Sequence, residues 1–316
     1  MLIYLIGCVL GIAFLYFGGG TLVDGSCALA RRYHIRPFVI GAVVIGFGTS
    51  APEAFVSVVA QWKGSSDIAF GNFVGSSITN MGLILGIAAL LAPIAVERRS
   101  AVWEYSYLVF VSLLMAVFAS GSELSRMHAW VFFGLFALFL WWSLTYGASD
   151  LNRDAARETG VQAMAPWLIA AKVAGGLIAL LAGSELLVRS GVAIARRYGM
   201  SELAIGSSLI AVGTSLPELA ASSIAAVKRQ GGIAFGNVVG SNLFNLLLIP
   251  ALALLIRPIP IGAESHRVLV PALVVLTLLA VPFLVKRNHL GRAAGVVFLA
   301  AYGVFLVFLF AFGGVR

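Results

Sequence analysis

The 316-residue chain is 60% hydrophobic, only 11% charged, and has a mean hydropathy of +1.01. A soluble domain carries roughly 25% charged residues, so this chain cannot coat a water-soluble particle. Its length suits about ten spans of about 20 apolar residues with no soluble domain left over. The net charge of +8 does not point to nucleic acid: the basic residues fall in small groups between apolar runs, such as Arg31, Arg32 and Arg36 or Lys286 and Arg287, as membrane-flanking anchors do.

In chain order, the first span is expected near 2–29. It lacks a basic leader and a small-residue cleavage site, so it reads as a span and not as a removable signal. It holds both cysteines, Cys8 and Cys27, as packing residues with no disulfide framework or metal site. Asp24, near the Arg31-Arg32 end, is placed at the membrane interface. Spans near 37–61, 68–92, 101–120 and 127–146 complete a first half, residues 1–146. Residues 147–166 are polar and mixed in charge, and read as a linker. The second half, residues 167–316, repeats the pattern near 167–195, 202–227, 232–256, 268–285 and 292–312. Within it Glu185 precedes Arg189 by four residues, the favoured order for a helical ion pair. His34, His128, His266 and His289 lie in or near loops without a metal-ligand partner at useful spacing.

The halves are related by sequence as well as by pattern. Ile68-Ala69-Phe70-Gly71-Asn72 recurs 165 positions later as Ile233-Ala234-Phe235-Gly236-Asn237. The same offset relates Gly48-Thr49-Ser50 to Gly213-Thr214-Ser215, Pro52-Glu53 to Pro217-Glu218, and Arg31-Arg32-Tyr33 to Arg196-Arg197-Tyr198. Five spans per half is an odd number, so the second half enters the membrane from the other side. The expected architecture is an all-α integral membrane fold of about ten helices in two inverted five-helix repeats, as many secondary transporters use. With the N-terminus outside, the cytoplasmic loops hold the larger share of Lys and Arg.

Two carboxylates, Glu53 and Glu218, lie well inside predicted spans at matched positions. An ionisable group there costs at least about 2.5 kcal/mol on insertion scales and marks a functional site by default. Pro52 and Pro217 precede them, cannot donate a hydrogen bond, and crowd the carbonyls of Gly48 and Gly213. A helix break is therefore expected at each glutamate, with carbonyl oxygens freed beside it. Thr49 and Thr214 lie four residues before the glutamates, and Ser50 and Ser215 three. In the following span of each half, Asn72, Ser76 and Asn80, and likewise Asn237, Ser241 and Asn245, form polar stripes offering small oxygen ligands. Gly71, Gly75, Gly236 and Gly240 between them permit close helix approach. Oxygen donors around carboxylates suit a hard cation such as calcium, which takes six to eight of them.

At these residues the chain resembles the calcium/cation antiporter family, and within it the sodium/calcium exchanger branch. The resemblance rests on Gly48-Thr49-Ser50-Ala51-Pro52-Glu53 with Gly71-Asn72-Phe73-Val74-Gly75-Ser76, and on Gly213-Thr214-Ser215-Leu216-Pro217-Glu218 with Gly236-Asn237-Val238-Val239-Gly240-Ser241-Asn242. It implies that Glu53 and Glu218 bind Ca2+ with backbone oxygens around Thr49 and Thr214. It implies that Na+ uses the same glutamates with Ser50, Ser76, Ser215 and Ser241 and the carbonyls of Gly46 and Ala211. Asn80 and Asn245 match further positions of the site. Many relatives carry aspartate in place of Asn245, a departure that bears on the number of coupled ions and their charge balance. Ser77 also stands where the other repeat has Asn242. The proton-coupled branch typically has a glutamate in the second motif, where this chain has Gly75-Ser76 and Gly240-Ser241.

The expected function is thus exchange of Ca2+ for Na+ by alternating access, with a Ca2+/H+ antiporter using the same glutamates as the alternative and a passive cation channel as a distant one. No catalytic residue or cofactor is assigned, because no nucleophile, histidine pair or metal cluster accompanies the glutamates. The expected partners are membrane lipid and the transported ions, with no nucleic acid and no obligate protein partner. The expected location is the cytoplasmic (inner) membrane of a prokaryote. The spans near 2–29 and 167–195, with Gly18, Gly19, Gly20 and Gly183, are the expected moving parts.

Overall fold

The computed structural model describes residues 1–147, 164–198, 211–263 and 265–312. The first half runs α1 (Leu2–Tyr33), α2 (Pro37–Thr49), α3 (Ala51–Trp62), α4 (Ser66–Leu91), α5 (Val102–Ala119) and α6 (Arg126–Gly147). The second runs α7 (Pro166–Arg197), α8 (Ala211–Gly213), α9 (Leu216–Val227), α10 (Gly231–Ile256), α11 (Ser265–Val285) and α12 (Arg292–Phe312). Among the described residues eight helices are long and apolar enough to cross a membrane, and α2 with α3, bent by 45° at Ser50, make a ninth. The span expected near 202–227 lies partly outside the described residues; α8 and α9 are its described part. The linker expected over 147–166 lies outside them too, except at its ends, where α6 runs to Gly147 and α7 already starts at Pro166.

The sequence repeat is a structural one. The bounds of α3 and α9, and those of α4 and α10, match residue for residue at the same offset. Two short antiparallel sheets, which hydropathy did not signal, extend the correspondence. β1 (Ile94–Ala95) pairs with β4 (His289–Leu290), and β2 (Glu123–Leu124) with β3 (Ile259–Pro260). β1 and β3 follow α4 and α10, whereas β2 and β4 precede α6 and α12. Each sheet therefore joins a loop of one half to a loop of the other and satisfies backbone groups at a helix end.

Glycine sets the closest approaches. A Cβ on Gly236 would stand 2.3 Å from the carbonyl oxygen of Phe38, and one on Gly240 2.3 Å from Cα of Ala42. α2 and α10 thus touch backbone to backbone, which brings the break of one repeat against the polar stripe of the other. α1 and α7 form a separate antiparallel pair. Along their seam Gly7 faces Ser190, Gly11 faces Leu187, Gly18 faces Ala179, and Gly25 faces Lys172.

One charged group differs from the expectation of solvated anchors, while Asp24 is exposed as expected and gains an ion-pair partner. Arg36, just before α2, is only 4% exposed. Its guanidinium donates to Glu104 Oε1 at 2.7 Å and to Glu97 Oε2 at 3.1 Å, because a buried cation needs anionic partners. Asp24 is held by Lys228 Nζ at 2.7 Å. Glu185 and Arg189 form the expected pair.

Candidate cation site between two helix breaks

The break in the first half falls at Ser50 (φ −86°, ψ 6°) and its counterpart at Ser215 (φ −92°, ψ 5°). Pro52 and Pro217 then occupy the second position of α3 and α9, where the missing N–H has no helical acceptor to lose. Glu53 and Glu218 follow in the first turns, at the positive ends of their helices, and the helix dipole favours carboxylates there.

Both glutamates are 1% exposed, and their partners are crossed between repeats. Ser50 Oγ donates to Glu218 Oε1 at 2.9 Å, and Ser215 Oγ donates to Glu53 Oε1 at 3.3 Å. Oε2 of each glutamate is buried without a hydrogen-bond partner among the described residues. Ser241 Oγ donates to the carbonyl of Gly46 at 3.3 Å. Thr49 is fully buried; its hydroxyl donates to the Ile45 carbonyl at 3.0 Å and lies 3.4 Å from Asn237 Oδ1. Thr214 is half-buried in the turn between α8 and α9, and Ala211, the counterpart of Gly46, opens α8. Ser76 is buried in α4.

Asn80 and Asn245 lie where α4 and α10 widen into single π-helical turns, over Asn80–Ile84 and Phe244–Leu248. Such turns are rare and recur at functional sites. Both side chains are buried, and neither amide oxygen nor amide nitrogen of either has a partner among the described residues. Leaving buried polar atoms unpaired is costly, and here they recur in residues at equivalent positions of the two repeats. The amide nitrogen of Asn72 acts as a brace and leaves its Oδ1 unengaged by these bonds. Its Nδ2 donates to the Glu53 carbonyl at 2.9 Å and to Ser57 Oγ at 2.8 Å. Asn237 does the same to the Glu218 carbonyl and Ser222 Oγ, at 3.4 and 2.8 Å. Ser57 and Ser222 were missed; each lies four residues after its glutamate, the spacing that signals a shared helix face.

Two buried carboxylates at helix breaks, ringed by hydroxyl, amide and carbonyl groups within a bundle of apolar helices, define a cation transporter. The comparisons specify which. A family model described as sodium/calcium exchanger protein matches residues 3–145 and again 168–311. The putative antiporter CaxA of Alkalimonas amylolytica is 37% identical over 98% of this chain and 100% of its own length. The sodium/calcium exchanger MaX1 of Methanosarcina acetivorans is 31% identical over 96% of this chain and 97% of its own. Among solved structures, the sodium-calcium exchanger NCX_Mj superposes with a TM-score of 0.86 at 32% identity, covering 98% of this chain and 100% of its own. The chain belongs to the sodium/calcium exchanger family and is a multi-pass membrane antiporter.

Proposed function

We propose that the chain exchanges Ca2+ for Na+ at the Glu53–Glu218 site by alternating access. Ca2+ is held by both glutamates with backbone oxygens around Thr49 and Thr214. Na+ uses the same glutamates with Ser50, Ser76, Ser215, Ser241, the carbonyls of Gly46 and Ala211, and the amides of Asn80 and Asn245. The observation that carries this is the pair of buried Oε2 atoms without a partner, one on each glutamate. A hard cation between them supplies what no donor in the described residues does.

Charge accounts for obligatory exchange. The unloaded site leaves two carboxylates in a medium of low dielectric constant, which opposes movement through the membrane. One Ca2+ or two Na+ balances both charges, so the loaded protein reorients and the bare one does not. The hydroxyls at Ser76 and Ser241 favour Na+ over H+ as counter-ion, because they add ligand oxygens without adding an ionisable group. The chain needs no cofactor, and its partners are lipid and the transported ions. The two halves, 1–146 and 167–316, sit inverted in the cytoplasmic membrane with the N-terminus outside, the orientation that the positive-inside rule favours.

The test is uptake of radioactive calcium into proteoliposomes, with an outward Na+ gradient set against a proton gradient at matched potential. Uptake driven by Na+ alone is the expected result. Uptake driven only by protons assigns the counter-ion differently, and uptake indifferent to both gradients makes the protein a channel.

A further inference from the structure

The two repeats are equivalent in sequence but not in how the α1–α7 pair lies on them. α1 packs along α9, where a Cβ on Gly19 would stand 2.6 Å from Ile224 Cδ1 and 3.6 Å from the Ala220 carbonyl. The end of that contact is closed by Lys228, whose Nζ reaches Asp24 Oδ1 at 2.7 Å and the Gly20 carbonyl at 3.1 Å. The mirror contact, α7 along α3, is not comparably made among the described residues. Its surfaces lie open instead: Phe55, the counterpart of Ala220, is 71% exposed and Trp62 74%.

Inverted repeats allow the asymmetry to be exchanged between halves, giving the second state of an alternating cycle from the first. At the repeat offset, Lys228 maps to Lys63, Gly20 to Glu185, Asp24 to Arg189, Gly19 to Ser184 and Ile224 to Val59. Lys63 is exposed, with no side-chain hydrogen bond or ion pair among the described residues, and Glu185 is exposed with Arg189 as its partner on the same helix. When α7 moves onto α3, Lys63 arrives beside Glu185, and the ring of Phe55 gains a cover.

We propose that Lys63 and Glu185 form a second charged latch, made only in the state opposite to this one, and that Asp24–Lys228 and Lys63–Glu185 alternate during exchange. This rests on the exchange proposed above. The two latches are unequal. Lys228 meets a carboxylate with no other ion-pair partner among the described residues, whereas Lys63 meets one already held by Arg189 and finds Arg189 itself at the position equivalent to Asp24. The state with α1 on α9 is therefore the resting one. An exposed ion pair shifts an equilibrium by about two- to fivefold, enough to bias two states without freezing either.

The test uses the full chain in proteoliposomes, with Cys8 and Cys27 replaced by serine and exchange measured in parallel. One variant carries Gly20→Cys with Lys228→Cys, another Lys63→Cys with Glu185→Cys, each treated with a short bifunctional thiol reagent. The expected result is that both pairs cross-link, that each cross-link stops exchange, and that changing Na+ for Ca2+ moves their yields in opposite directions. Absence of a Lys63–Glu185 cross-link in every ionic condition, in protein that exchanges normally before treatment, overturns the proposal. If either cysteine variant is inactive, a double-mutant cycle replaces it. Lys63→Gln and Glu185→Gln are each expected to change the exchange rate about two- to fivefold, and the double variant no further. Additive effects refute the latch, while loss of exchange in the unsubstituted protein refutes the exchanger reading instead.

Discussion

At the residue scale, the site is a charge problem solved in duplicate. Glu53→Gln and Glu218→Gln each remove one carboxylate while keeping the side chain's size and its Oε1 acceptor for Ser215 or Ser50. Each is expected to abolish Na+-driven Ca2+ uptake while the purified protein keeps the melting temperature and gel-filtration profile of the unsubstituted chain. Wild-type uptake by either one contradicts the assigned role. Under the proposed assignment of Asn245 to the ion site, Asn245→Asp adds a third ionisable group to it. Ca2+ affinity in that variant is expected to rise at alkaline pH and to fall back towards that of the unsubstituted chain as the new carboxyl takes up a proton, so its dependence on pH is the steeper of the two. Calcium titrations across a pH series read this directly. Glu53, Glu218, Thr49, Thr214, Ser50 and Ser215 were legible in the sequence because proline and glycine mark the breaks beside them. The braces were not: Asn72 and Asn237 share a helical spacing with Ser76 and Ser241, and spacing alone does not say that their amides turn to the carbonyls of Glu53 and Glu218.

At the element scale, close backbone approach and one buried ion cluster decide where α2 and α10 sit. Gly240→Ala would put a methyl 2.3 Å from Cα of Ala42, and overpacking of this kind costs about 1–3 kcal/mol. A lower melting temperature together with slower exchange is the expected outcome. Arg36→Ala leaves Glu104 buried and unpaired, and breaking a buried pair from one side costs about 3–5 kcal/mol; Arg36→Ala combined with Glu104→Ala is expected to recover part of that loss in a thermal melt. The helices themselves were legible from hydropathy to within a few residues, since long apolar runs leave little choice of boundary. Three features were not. The π-helical turns at Asn80 and Asn245 lack any sequence marker. The four short strands are too brief to show a period. Arg36 looked like its neighbours Arg31 and Arg32, yet it packs against Glu97 and Glu104, which arrive from a distant part of the chain.

At the scale of the whole molecule, two copies of one fold unit face each other with their helix breaks in contact, so that each repeat supplies half of the site and one of its carboxylates. The crossed bonds from Ser50 to Glu218 and from Ser215 to Glu53 tie the glutamates' geometry to the relation between the halves, and in the proposed exchange this is how ion loading would govern movement. The central claim is that Ca2+ and Na+ compete for the same pair of glutamates. Calorimetric titration of the purified protein with Ca2+ at several fixed Na+ concentrations tests it most directly. The account predicts that the apparent Kd for Ca2+ rises with Na+ more steeply than in proportion, since at least two Na+ are needed to replace one Ca2+ on two carboxylates. A calcium affinity that stays constant as Na+ is raised, at matched ionic strength, would contradict it.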